Sequence, residues 1–116
     1  MALRILVVED EMTIAFMIED MLVELGHEVV ELAMRLPQAV EAAKRVDIDL
    51  AILDVNLDGH RSFPVADILI ARGIPFAFAT GYGAAGLDEA YRRRPVLAKP
   101  FLFEDLRQMV AEITAG

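Results

Sequence analysis

Short apolar runs alternate along the chain with stretches in which apolar residues recur every three or four positions, and most of the runs end on polar residues. Leu3 to Val8 is the first run, and Glu9, Asp10 and Glu11 follow it at once. From Thr13 onward, Ile14, Met17, Ile18, Met21, Leu22 and Leu25 recur at helical spacing, Glu19, Asp20 and Glu24 take the other face, and Gly26 supplies a stop. The methionines of this amphipathic helix read as adaptable core filler. Glu28 to Ala33 predicts a second strand, and Pro37 followed by Ala39, Val40, Ala42, Ala43 and Val46 predicts a second helix with proline in its first turn. The third run, inside Asp49 to Gly59, has strand length and breaks off at Asp54. Phe63 to Arg72 predicts a third helix, with Pro64 near its start and Gly73 after its end. Pro75 to Ala79 is a fourth strand that delivers Thr80. Gly81, Gly83 and Gly86 follow, helix signals from Leu87 to Arg94 are weak, and the fourth helix is therefore expected to be short, displaced or mobile. Val96 to Ala98 is a fifth strand that delivers Lys99. Pro100 cannot continue it, and Leu102, Phe103, Leu106, Met109, Val110 and Ile113 stripe a last helix.

Strands alternating with helices over short crossovers predict an α/β fold, a doubly wound five-stranded parallel sheet covered on both faces. In such a sheet the carboxyl ends of the strands share one edge, and ligands bind in the crevice there. Asp10, Asp54, Thr80 and Lys99 fall at strand ends, so the fold alone would gather several of them. With 116 residues the chain is expected to be one domain with no attached output module.

Bulk composition narrows the chemistry. The hydrophobic fraction is 56%, spread in short runs with no span that could cross a membrane and no signal-peptide core, so the chain is expected to be cytoplasmic. There are no cysteines, hence no disulfides and no thiolate metal sites. The formal charge of -8 disfavours an electrostatic grip on nucleic acid and favours a cation or a basic protein surface. Arg92-Arg93-Arg94 reads as a solvated helix end or, less simply, as a binding patch. His27, with no second ligand at metal spacing, reads as a connector.

Glu9, Asp10 and Asp54 would place carboxylate oxygens around one point, a donor set suited to Mg²⁺. The metal would relieve the repulsion among them and neutralise a phosphoryl group approaching a carboxylate. Lys99 adds a positive charge and Thr80 a hydroxyl donor, and the set describes an aspartyl-phosphate site. Singly, each of these residues could be a helix cap, a dipole partner or a surface lysine. Three competing motifs fail. Asp54 to Gly59 matches the first half of an EF-hand loop, but position twelve is Val65. Gly81-Tyr82-Gly83-Ala84-Ala85-Gly86 fits a dinucleotide fingerprint but follows the fourth strand and opens a weak helix. Asp54-Val55-Asn56 lacks the second Asp of an aspartate-nucleophile phosphatase.

Taken together, these residues resemble the receiver domains of two-component response regulators, with Glu9-Asp10 as the acidic pair, Asp54 as phosphoacceptor, Thr80 as switch hydroxyl and Lys99-Pro100-Phe101 as the lysine and its proline. The resemblance implies a flavodoxin-like strand order 2-1-3-4-5. It also implies Mg²⁺ ligation by Asp10, Asp54 and the backbone carbonyl of Asn56, with Glu9 acting through water. Phe78-Ala79-Thr80-Gly81-Tyr82-Gly83 is similar to the FATGUY group of single-domain receivers, which implies phosphotransfer with sensor histidine kinases, often of the HWE type, without DNA-binding output. Val96 stands where receivers carry an aromatic switch residue, and Tyr82 is a candidate substitute or an ordinary half-exposed tyrosine. Asn56 and Tyr82 would border the path of hydrolytic water and so set phosphate lifetime.

The function expected is that of a stand-alone receiver. Asp54 accepts phosphate from a histidine kinase with Mg²⁺ bound, and protein contacts carry the signal or relay the phosphate to a phosphotransfer protein or another protein target. No turnover is expected beyond Mg²⁺-dependent self-phosphorylation and autodephosphorylation. The alternatives are a pseudo-receiver that binds partners without phosphorylation and a small phosphatase or nucleotide-binding enzyme.

Overall fold

A computed structural model describes residues 2–45, 47–81, 91 and 94–115. Strand β1 (Arg4–Val8), helix α1 (Met12–Glu24), β2 (Glu28–Ala33), α2 (Leu36–Arg45) and β3 (Leu50–Asp54) alternate as the hydrophobic pattern predicts. Two short strands follow, β4 (Asn56–Leu57) and β5 (His60–Arg61), then α3 (Phe63–Arg72), β6 (Phe76–Thr80), β7 (Val96–Ala98) and α4 (Phe103–Ala115). The main sheet is parallel with the order β2-β1-β3-β6-β7, which is the expected 2-1-3-4-5 arrangement with β6 and β7 as its fourth and fifth strands. The winding direction reverses between β1 and β3, and the crevice outside their carboxyl ends is where such sheets bind ligands.

Period-two alternation sends side chains to two cores. Leu6, Val8, Ala51, Leu53, Phe76 and Phe78 pack under α2 and α3, against Ala39, Ala42, Ala43, Val65, Ala66 and Leu69. Ile5, Val7, Leu50, Ile52, Ala77 and Ala79 pack on the other face, against Ile18 and Leu22 of α1 and Leu106, Met109 and Val110 of α4. Every residue of β3 and of β6 is buried, so these central strands are fixed from both sides and hold the residues at their ends in place. Helix α3 stops where the sequence predicts, at Gly73 in the left-handed conformation with φ 70°.

The hairpin β4–β5 is a feature that hydrophobic patterning did not predict. Asn56 pairs with Arg61 and Leu57 with His60 across a two-residue turn, Asp58-Gly59, in which both residues have positive φ, 50° and 86°. That is the turn whose twist suits a hairpin, and Asp-Gly is its preferred sequence. Leu57 is 1% exposed and joins the core under α3, so the hairpin is packed down rather than hanging free. His27 is a structural tie, since its Nδ1 accepts a hydrogen bond from the Leu3 N–H at 3.1 Å. Arg94 lies 4.9 Å from the centre of the Phe76 ring, a cation–π packing contact. Arg92, Arg93, Tyr82, Gly83, Gly86 and most of the expected fourth helix lie outside the described residues. Among the described residues no helix is long and apolar enough to cross a membrane.

Candidate functional site

Backbone pairing sets the site before any side chain does. The Glu9 N–H donates to the Ala33 carbonyl at 3.0 Å, which carries the β1–β2 ladder one residue past β1 and fixes Glu9 at the sheet edge. Its carboxylate is buried, with Oε1 accepting from Lys99 Nζ at 2.6 Å and Oε2 from the Glu11 N–H at 3.1 Å. Asp54 ends β3 and pairs with Ala79 of β6. Its Oδ2 lies 3.4 Å from Lys99 Nζ, and its Oδ1 accepts from the Asn56 N–H at 3.4 Å. Thr80, also buried, is the last residue of β6 and pairs with Ala98, and its carbonyl accepts from the Lys99 N–H at 2.9 Å. The Lys99–Pro100 peptide is cis. Asp10, nearer solvent, receives the Asp58 N–H on its Oδ2 at 2.9 Å. Carboxylate oxygens of Glu9, Asp10 and Asp54 all lie within 4.8 Å of one another.

The electrostatics follow from that crowding. Burial and then the facing Glu9 carboxylate push the Asp54 carboxyl up to about 7, against the opposing pull of Lys99. Burial would lower the Lys99 ammonium, but its hydrogen bond to Glu9 and the charge of Asp54 outweigh that and raise it. Burial likewise pushes Asp10 up, yet hydrogen bonding to it, first from the Asp58 N–H, holds it below the ordinary carboxylate range. Among the described residues three carboxyl groups face the Lys99 ammonium, and this cluster of hard oxygen donors fits a small divalent cation such as Mg²⁺.

Residues 5–111 match the family described as the response regulator receiver domain. The chain belongs to this family. The receiver superposes on the solution structure of SdrG from Sphingomonas melonis Fr1 with a TM-score of 0.87 and 43% identity, covering 97% of both chains. It superposes on the receiver domain of the sensor histidine kinase PA1611 from Pseudomonas aeruginosa PAO1 with a TM-score of 0.83 and 25% identity over 100% of both chains. That domain was solved with a magnesium ion coordinated in its active-site cleft. This chain is also 33% identical over 107 residues to the transcriptional regulatory protein PdtaR of Mycobacterium tuberculosis, a match that covers 89% of this chain and 52% of PdtaR. The receiver thus spans about half the length of the curated relative it matches.

Of the residues singled out in the sequence, the receiver fold brings Glu9, Asp10, Asp54 and Lys99 into one cluster and sets Thr80 at the same edge. Asn56 joins through its N–H, while its side-chain Oδ1 accepts from the Gly59 N–H at 3.1 Å inside the hairpin. Val96 is half-buried and packs against the α2–α3 core, paired with Phe78. Two residues escaped the sequence reading. Asp58 reaches the site through its backbone, and Tyr91 brings an aromatic ring to the core that Val96 borders. The Tyr91 ring stacks on Phe63 at 4.5 Å and meets Phe78 edge-on at 6.0 Å, and its hydroxyl donates to Asp67 Oδ1 at 2.6 Å. Asp-Gly was a legible signal for the first. Tyr91 lies in a stretch of weak periodicity, where no local pattern announces a buried ring.

Proposed function

We propose that this receiver accepts a phosphoryl group on Asp54 from the phosphohistidine of a sensor histidine kinase, acts in the cytoplasm, and signals through protein contacts. The observation that carries the reading is Lys99 Nζ set between Glu9 and Asp54, at 2.6 and 3.4 Å, beside a third carboxylate, Asp10. An Asp54 oxygen attacks phosphorus, forming the acyl-phosphate O–P bond, while the P–N bond breaks and its electron pair leaves on the imidazole nitrogen. Lys99 balances charge at the phosphoryl oxygens, and the Thr80 hydroxyl donates to them from the neighbouring strand. Mg²⁺ held by Glu9, Asp10, Asp54 and the Asn56 carbonyl would supply the remaining positive charge. Hydrolysis by water, with Asn56 bordering its path, resets the site, so the chain is an acceptor rather than an enzyme acting on outside substrates.

Met12, Phe16 and Met17, exposed on α1 next to the acidic run, offer an apolar rim for a protein that reaches Asp54. The Phe78 to Gly83 motif supports membership of the FATGUY group and, with it, a kinase of the HWE or a related type. The output proposed for it is a protein target or a phosphotransfer protein. Incubation with phosphoramidate and Mg²⁺ tests the reading by intact mass. One phosphate should appear on the wild-type chain and none on Asp54→Asn or in excess chelator. A folded wild-type chain that takes no phosphate would instead favour a phosphorylation-independent binding module.

A further inference from the structure

The Asp10 carboxylate is held by an element that sequence patterning missed. The Asp58 N–H that binds it belongs to the turn of the β4–β5 hairpin, and that turn is braced at three further points. Asn56 Oδ1 accepts from the Gly59 N–H at 3.1 Å, the Ser62 N–H closes the base on the Val55 carbonyl at 2.9 Å, and Leu57 is buried in the core beneath. Asn56, the residue after Val55 and the expected carbonyl ligand, is the first residue of the same hairpin. We infer that the hairpin is a latch that positions the cation site, with the Asp58 N–H fixing one oxygen of Asp10 while the strand pairing of Asn56 fixes its backbone.

The inference rests on the reading of Asp10 and Asn56 as cation ligands and concerns what orients them. A carboxylate that ligates a metal is itself steered by its outer hydrogen-bond partners. Here that partner is a backbone amide, available only while Asp58 and Gly59 keep their left-handed conformation, at φ 50° and 86°. By linkage, a cation that draws Asp10 and Asn56 together firms the hairpin, and whatever firms the hairpin raises cation affinity in turn. Asp58 and Gly59 are thus positioning residues rather than ligands.

Gly59 makes the latch testable without a steric clash, because a Cβ there meets nothing within 4 Å and only the backbone conformation resists it. Gly59→Val should weaken Mg²⁺ binding, followed by amide NMR titration, by about tenfold, the lower end of the loss when an outer partner of a ligand is removed. Gly59→Asn, whose side chain tolerates positive φ, should keep most of the wild-type affinity. In metal-free protein, Asp10→Ala should speed hydrogen exchange at the Asp58 amide by removing its acceptor. Unchanged affinity in folded Gly59→Val overturns the latch, as does an equal loss in Gly59→Asn. Unchanged Asp58 exchange in Asp10→Ala overturns it without any metal and covers the case in which Gly59→Val fails to fold. A wild-type chain that binds no Mg²⁺ overturns the parent reading of the site, and the cation role of the latch with it.

Discussion

Replacing Asp54 with Asn should change the pH dependence of stability in a way that isolates the electrostatic stress of the site. In the absence of metal the Asp54 carboxyl is raised from 3.8 to about 7, by burial first and by Glu9 second, with Lys99 opposing. Between those values the folded chain holds a proton that the unfolded chain has lost. Stability from this group is therefore fully present below 3.8 and declines as pH rises through about 7. At about 1.36 kcal/mol per pH unit, the interval corresponds to about 4 kcal/mol lost by pH 8. Asn keeps the shape and removes the charge. Its amide, with an N–H directed into a buried site, costs about 1–3 kcal/mol at any pH. Asp54→Asn should then be less stable than wild type near pH 4 and more stable near pH 8, with a swing of about 4 kcal/mol between the two. Urea unfolding of both chains in chelator measures it, and Mg²⁺ should shrink the swing by stabilising the wild type at high pH. A stability difference that is the same at both pH values would mean that Asp54 carries no burden of charge.

Other perturbations follow from the same contacts. Lys99→Met leaves the buried Glu9 carboxylate without its ammonium at 2.6 Å. Breaking a buried pair from one side should cost about 3–5 kcal/mol at neutral pH in chelator, read by urea unfolding, and Mg²⁺ should recover part of it. Tyr91→Phe keeps the ring stacked on Phe63 but loses the hydrogen bond to Asp67 Oδ1. A loss of about 0.5–1.5 kcal/mol is expected in the same assay, and no loss would mean that stacking alone holds the residue.

Strand ends were the legible part of this chain. Apolar runs that stop at Glu9, Asp54, Thr80 and Lys99 announce a parallel sheet with chemistry at one edge, because a buried strand tolerates polar residues only where it leaves the sheet. The structure sharpens this, since Asp54 and Thr80 are the last residues of β3 and β6 rather than residues beyond them. Pairings across the fold were not legible. Lys99 reads from sequence as a partner for phosphate, yet here its ammonium binds Glu9, 90 positions away, a contact that depends on the order and register of β1, β3, β6 and β7. The hairpin was hidden for a different reason. Its strands are two residues each, too short for alternation to register, and Asp54 to Gly59 matches half of an EF-hand loop, which masks its turn signal. Val96 is the informative departure. The ring absent from β7 is matched by Tyr91 entering the same core from outside the strand, and a sequence scan confined to strand positions passes over it.

The claim that Asp54 is the phosphoacceptor is tested most directly by transfer from a labelled histidine kinase. A kinase of the expected class, phosphorylated on its histidine and freed of nucleotide, is mixed with the wild-type chain, with Asp54→Asn, and with wild type in chelator. Label should move from the kinase to the wild-type chain in Mg²⁺, stay on the kinase with Asp54→Asn, and stay there when Mg²⁺ is removed. Label that reaches Asp54→Asn as readily as wild type would contradict the claim.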